Sequence, residues 1–384
     1  MGMLVSTSFW WAAGTITLAV WLAMVAIAAY NKSHILCLEP DARTETAGPL
    51  ISVIVPARNE AADIAAALHS LLAQQGVRLE IVAVNDHSSD ATGRLMDEVA
   101  GSDARLTVIH NPYLEPGWLG KANAMRAGLE RARGKIILFT DADVIHHPRC
   151  CVTALAEMER THSDLISGLP QIDLHLFWEH AMLPMFVAGL GKLVPEKRQQ
   201  DKRCRAAAAS GALMLIKRQT LRAIGDLQAV KGSLADDMTL ARELKRQGFK
   251  VGYRLAPALM KLRLFKGNRE AFVSTSKNIL LVIEESLWLS PFVPLFTFLL
   301  FWAPLIMVGL GIGRDEPLLA IAGLAFYLTS YAGLFVCRPI FSFRPLPALA
   351  FPLVLLVAGY CISRAAILHL RGKIVWRGRI VRVR

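Results

Sequence analysis

The chain has 384 residues, 54% of them hydrophobic, with a formal charge of +12 and a mean hydropathy of +0.39. That hydropathy excludes an ordinary water-soluble globule, and the length allows two or three domains. The charge alone would suit nucleic acid, but no nucleic-acid motif accompanies it. Part of the excess sits in the C-terminal RAAILHLRGKIVWRGRIVRVR, beside an apolar segment, where it favours anionic lipid. The six cysteines show neither CxxC pairing nor metal-ligand spacing, which fits reduced thiols in a cytosol-facing chain.

Residues 9–30 carry no charge and are long enough to cross a bilayer, with Trp10, Trp11 and Tyr30 where interfacial aromatics belong. A cleaved signal peptide is the rival reading. The preceding MGMLVSTS has no Lys or Arg, which favours an uncleaved anchor spanning residues 1–30. Lys32 and Arg43 then place the following segment on the inside. A polar linker, 31–50, ends at Gly48-Pro49.

From residue 51 the pattern becomes that of an α/β domain, expected to run to 265. LISVIVP, LEIVAVND, RLTVIHN and KIILFTDAD read as strands. Helices are expected near 61–75, 92–100 and 121–133. Such alternation implies a mostly parallel sheet with helices on its faces, and ligands at the carboxyl ends of the strands. The notable polar residues fall there: Arg58, Asn85 and Asp86, Asp141 and Asp143. SGLPQIDLHLFWEHAMLP is apolar but interrupted, and reads as an interfacial or acceptor-site segment. AAAASGALMLIKR suggests a strand entered through small residues. In KGSLADDMTLARELKRQGFKV, Asp236 and Asp237 open a helix whose apolar face includes Leu240 and Leu244, and Gly248 ends it. An amphipathic interface segment is expected at 266–286. Apolar blocks follow at about 287–313, 317–337 and 346–363, making 287–363 a membrane region before the basic tail, 364–384. Three full crossings would put that tail outside, so the proline-broken first block is the best candidate for a re-entrant segment.

Asp141 and Asp143 stand at i and i+2 at a strand end, so in extended backbone they project to one side and could share a hard divalent cation. A lone DxD also fits a solvated turn. Asp86 could take hydrogen bonds from a base or ribose, and Lys121, in the Gly-bounded loop GWLGK, could meet a diphosphate. His146 and His147 read as solvated residues after the turn, and His180 as a packed histidine.

Taken in order, IVPARNE, VNDHSSDATG, GKANAMRAGLERARGKIILFTDAD and ADDMTLARELKRQG resemble family 2 glycosyltransferases of the GT-A fold, over about residues 51–250. The resemblance implies a Rossmann-like, mostly parallel sheet, with one N-terminal and several C-terminal transmembrane or interface helices around it. It implies a nucleotide-diphospho-sugar donor (a UDP-sugar favoured), Mg²⁺ or Mn²⁺, and inversion at the anomeric carbon. By position, Pro56, Arg58 and Glu60 would line the nucleotide pocket, and Asp86 would contact the base. Lys121 would lie beside the nucleotide, and Asp141 would contact ribose or metal. Asp143 would be the principal metal ligand. Of the acidic pair Asp236-Asp237, Asp237 would be the general base.

The QxxRW motif of processive synthases is absent, with only NREAF in its region, which favours a single transfer to a discrete acceptor. The layout is similar to lipid-directed members, the hopanoid-associated type most of all. It includes a WRGR tail, Trp376 to Arg379, read as a surface anchor, with Arg377 or Arg379 reaching the site as the alternative. The expectation is a multi-pass inner-membrane enzyme that glycosylates a lipid from the cytoplasmic side. The competing readings are a polysaccharide synthase and a non-catalytic nucleotide-sugar-binding membrane protein.

Overall fold

The computed structural model describes residues 6–40, 48–200, 204, 206–284, 292–370, 373–376 and 379–382. They form two compact units. The first comprises Met1–Ser33, Asp173–Leu193 and Leu264–Arg384, and the second His34–Ile172 and Val194–Arg263.

The second unit is built on strands β1 (Ile51–Ala57), β2 (Leu79–Asn85), β3 (Leu106–His110), β4 (Ile136–Phe139), β5 (Val144–His146), β6 (Leu165–Leu169), β7 (Gln171–Asp173), β8 (Met214–Lys217), β9 (Val251–Leu255) and β10 (Met260–Arg263). Seven of them make one sheet in the order β3-β2-β1-β4-β8-β6-β9. All neighbours are parallel except β8, which runs antiparallel to both β4 and β6. Helices α1 (Thr7–Ser33), α2 (Ile64–Leu72), α3 (Thr92–Ala100), α4 (Gly120–Arg131) and α5 (Cys150–Thr161) precede the break after β7.

Side-chain alternation along β1 builds both layers of the core. Ile51, Val53 and Val55 face a cluster with Leu68, Leu71 and Leu155, whereas Ile54 packs with Met125, Leu129, Leu240 and Leu244. At Gly128, an added Cβ would lie 2.5 Å from Ile54, so glycine lets α4 sit close to the sheet. Pro56 lies beyond the last β1–β4 pair, Ile54 with Phe139, so its missing N–H removes no bond to β4. Arg254, 2% exposed, donates from Nε to Glu157 at 2.7 Å and from Nη1 to Gln199 at 3.2 Å. That buried network ties β9 to α5.

Two expectations are corrected. The fragment starting at Ser167 begins as strand rather than as an interfacial segment. Leu165 and Ile166 are buried between β8 and β9, and β7 follows directly after Pro170. His146 is buried, not solvated. β5 pairs antiparallel with β10, and the two-residue period turns Val144 and His146 inward and Ile145 outward. His147 is exposed, as expected.

In the first unit, α1 packs Trp21 edge-on to Phe301 at 5.2 Å, and the indole N–H donates to the Ser330 carbonyl at 3.0 Å. The helices here include α6 (Phe177–Ala181) and α7 (Leu183–Gly191). His180 is packed: Nδ1 lies 2.7 Å from the Leu176 carbonyl, and Nε2 accepts from the Arg344 backbone at 3.1 Å. Among the described residues, two helices are long and apolar enough to cross a membrane, Thr7–Ser33 and Pro317–Cys337. Both leave large apolar side chains exposed, such as Ile16 at 62% and Leu318 at 74%. In the tail, Lys373–Trp376 and Arg379–Arg382 pair as a hairpin, and Arg377 lies outside the described residues.

Candidate active site

The carboxyl ends of β1 and β2 carry one group of expected site residues. Asp86 is 3% exposed, and its backbone N–H donates to Ala57 at 2.8 Å, joining the two strand ends. Arg58 donates to the Asp86 carbonyl at 3.0 Å, with its guanidinium 3.8 Å from the carboxylate, while His87 Nδ1 lies 3.1 Å from the other oxygen. The PARNE and NDHSSD loops are stitched together. Asn59 N–H donates to Ser88, Glu60 N–H to Thr92 and Ala61 N–H to Asp90. Asn59 and His87 take positive φ, 54° and 56°, where Asn and His are tolerated better than bulkier residues. Glu60 is 4% exposed, and Pro56 is half-buried. These bonds tie the two loops together beside the buried Asp86.

The second group gathers around Lys121, in the first turn of α4. Its Nζ lies 2.8 Å from Asp141 Oδ1 and 3.1 Å from Asp236 Oδ2. β4 ends at Phe139, so Asp141 sits just past the strand. Asp143 follows in the turn before β5, half-buried. Asp236 and Asp237 open α10 (Asp236–Arg246); α8 (Glu196–Gln200) and α9 (Arg218–Ala223) precede it. Burial of Asp236 leaves Oδ2 in ion-pair range of Lys121 but without a hydrogen-bond partner among the described residues.

What joins the two acids is a residue not expected from the sequence. β8 is antiparallel to β4, with Met214 opposite Phe139, so the segment entering β8 passes beside Asp141. There the Gly211 N–H donates to Asp237 Oδ2 at 3.0 Å. A Cβ on Gly211 would fall 2.7 Å from Asp141 Oδ2. Met238 N–H donates to the other Asp237 oxygen at 2.7 Å. The run of small residues AAAASGA was the signal available in the sequence, but it does not reveal which carboxylate the glycine serves.

The electrostatics follow from this crowding. Burial pushes the Asp237 carboxyl up, and Asp236 raises it further. Lys121 and the Met238 N–H oppose them, leaving it at about 6. For Lys121, burial works to lower the value, but Asp141, Asp236 and Asp237 raise it well above that of an ordinary lysine, so it stays charged. A carboxylate poised near neutrality beside a fixed cation can accept a proton while anionic charge builds close by.

Among the described residues no group of three or more His, Cys, Asp or Glu side chains gathers to cage a metal. Asp141 and Asp143 are hard oxygen donors two residues apart. Such a pair would leave a Mg²⁺ or Mn²⁺ ion to complete its shell with diphosphate oxygens and water, which both ions favour. The pair does not fit a closed structural site.

Residues 52–225 match the model of the family "Glycosyl transferase family 2". The 4,4'-diaponeurosporenoate glycosyltransferase of Staphylococcus haemolyticus is 34% identical over 115 residues, 30% of this chain and 29% of that one. The putative teichuronic acid biosynthesis glycosyltransferase TuaG of Bacillus subtilis is 37% identical over 95 residues, 25% of this chain and 36% of that one. The chain thus spans about a third of the length of these curated relatives. Among solved structures, the mannosyltransferase PcManGT from Pyrobaculum calidifontis, in complex with GDP-Man and Mn²⁺, superimposes with a TM-score of 0.53. The identity is 18%, over 94% of this chain and 98% of that one, a likeness of fold. Residues 52–225 are accordingly similar to the glycosyltransferase family 2 domain, and the chain carries a GT-A-like, largely parallel α/β sheet.

Proposed function

We propose that this chain is an inverting glycosyltransferase that moves one sugar from a nucleotide-diphospho-sugar to a lipid hydroxyl at the cytoplasmic face of a membrane. The observation that carries the reading is the Lys121 group: a charged lysine within 3.1 Å of both Asp141 and Asp236, with Asp237 fastened alongside by Gly211. In this reading Asp86, Arg58, Glu60 and Pro56 bind the nucleoside. Asp237 takes the proton from the acceptor hydroxyl as that oxygen attacks the anomeric carbon. The bond to the diphosphate breaks on the opposite face, and Lys121 balances the charge that leaves. Asp236 keeps Lys121 aimed. Asp143, with Asp141, would hold Mg²⁺ or Mn²⁺, which supplies Lewis-acid stabilisation of the diphosphate.

A UDP-sugar is the first donor to try, and GDP-mannose the second, since the structural neighbour is a complex with GDP-Man. The lipid acceptor is supported by the two long apolar helices with exposed apolar side chains, and by the carotenoid-acid substrate in the name of one relative. A hopanoid or other isoprenoid, or a sphingolipid, fits that description. The missing QxxRW favours one transfer over processive synthesis.

The test is release of nucleoside diphosphate by purified protein with Mn²⁺ or Mg²⁺, a donor panel and a lipid extract. Asp143→Ala should abolish metal-dependent release. Asp237→Asn should lower transfer by about 10²- to 10⁴-fold, the usual worth of a positioned base. Full transfer by Asp237→Asn removes the base assignment, and no metal-dependent turnover with any donor removes the enzyme reading. A lengthening glycan would favour the synthase instead.

A further inference from the structure

At the end of the strands away from the Lys121 group lies a concavity, about 890 Å³, bounded by the start of β4, the end of β8, α9 and the last turns of α5. Lys135, Lys217, Arg218 and Arg222 line it, against one carboxylate, Glu159. Five residues of extended chain, roughly 16 Å, separate Lys135 from Thr140, so this is not the Lys121 site seen from behind. Lys217 is already paired with Asp164 at 3.1 Å. Lys135 and Arg222 have no ion pair among the described residues and are exposed.

Arg218 is the unusual member. Its Nε donates to the Gly134 carbonyl at 2.7 Å, which pins the guanidinium, while Nη2 is buried without an acceptor. An unmet buried donor costs on the order of 1–3 kcal/mol, and more when charged. Burial lowers the Arg218 guanidinium from its ordinary value and neighbouring Arg222 lowers it further, while Asp226 and Glu80 oppose them. Lys135, Arg218 and Arg222 facing a concavity lined by one carboxylate favour an anion between them. Guanidinium groups pair with phosphate through parallel N–H···O bonds, which a lone surface lysine cannot do. Leu155 and Met158 give the concavity an apolar wall, suited to the uncharged part of such a ligand.

We propose that this concavity is a phosphoryl-binding site, distinct from the donor site, in which Arg218, Arg222 and Lys135 hold a phosphate or diphosphate group. The phosphoryl group can come from a soluble diphosphate or from an anionic lipid headgroup.

Full-length protein in neutral detergent, with EDTA to suppress metal-dependent binding at the donor site, is titrated with inorganic pyrophosphate by calorimetry. Saturable binding is expected. The double variant Lys135→Gln/Arg222→Gln, which changes only exposed side chains, should weaken it at least tenfold without moving the unfolding midpoint. Lys121→Gln should leave it unchanged. Displacement of pyrophosphate by short-chain phosphatidylglycerol identifies the lipid source, and resistance to displacement the soluble one. Absence of saturable binding, an unaltered affinity in the double variant, or loss of binding in Lys121→Gln overturns the proposal. Each readout is independent of sugar transfer.

Discussion

Gly211→Ala isolates the geometry of the proposed site with a single methyl group. Gly211 does not take a positive φ, so alanine fits its backbone, and the N–H to Asp237 is retained. The new Cβ would lie 2.7 Å from Asp141 Oδ2, against an ordinary contact of 3.4 Å or more, so the carboxylate must retreat by about 0.7 Å. Moved in line, its 2.8 Å pair with Lys121 would open to about 3.5 Å. At an effective dielectric of about 20, that loses about 1 kcal/mol of attraction. Both side chains are more than a third solvent-accessible, so screening leaves less than that in stability. Catalysis is far less forgiving, because displacements near 1 Å cost up to about a hundredfold. The variant should therefore fold with its melting temperature within about 3 °C of wild type. Its kcat/KM should fall about ten- to a hundredfold in the nucleoside diphosphate release assay. Wild-type kcat/KM would refute the Asp141–Gly211 contact as a constraint on the site. A large fall in melting temperature with normal activity per folded molecule would show that the glycine serves only packing.

Three other outcomes follow from the described contacts. Burial lowers the His146 imidazole from 6.5 to about 4. Between those values the unfolded chain binds the extra proton, so stability present above pH 6.5 is lost as pH falls towards 4. About 3 kcal/mol is at stake, and His146→Leu should flatten the slope of melting temperature against pH in that window. Arg254→Leu leaves Glu157 buried with only Arg160 as its charged partner among the described residues, and should cost about 3–5 kcal/mol in denaturant unfolding; a loss under 1 kcal/mol would contradict the network's role. Ile321→Lys places a charge on a side chain 63% exposed in Pro317–Cys337. If lipid covers that face, insertion should be penalised by about 2.5–3.5 kcal/mol and the membrane-fraction yield should drop. An unchanged yield would show that the face meets water.

Much of this protein was legible in one dimension. Alternating strands and helices gave the parallel sheet, because their apolar periods of 2 and 3.6 are local. Helix α3 falls on Thr92–Ala100 as expected, and Asp236 and Asp237 open α10. The acids at the ends of β2 and β4 were visible because polar residues interrupt apolar runs there. His146 was misread because its burial depends on β10, more than a hundred residues away, whose pairing chooses which face of a three-residue strand turns inward. Ser167 was misread because a strand buried between two others carries the same apolar composition as an interfacial segment.

The residue types, their order and their strand-end positions were set by the sequence alone. They suffice to propose the acids, the lysine and a chemistry for those groups. Only the tertiary structure decided that Lys121 meets Asp141 and Asp236 together, and that Gly211 touches the carboxylates on both sides. The Gly211 contacts depend on β8 running against its neighbours. Strand direction is decided by long-range pairing across the whole sheet, and no local pattern in AAAASGALMLIKR encodes it.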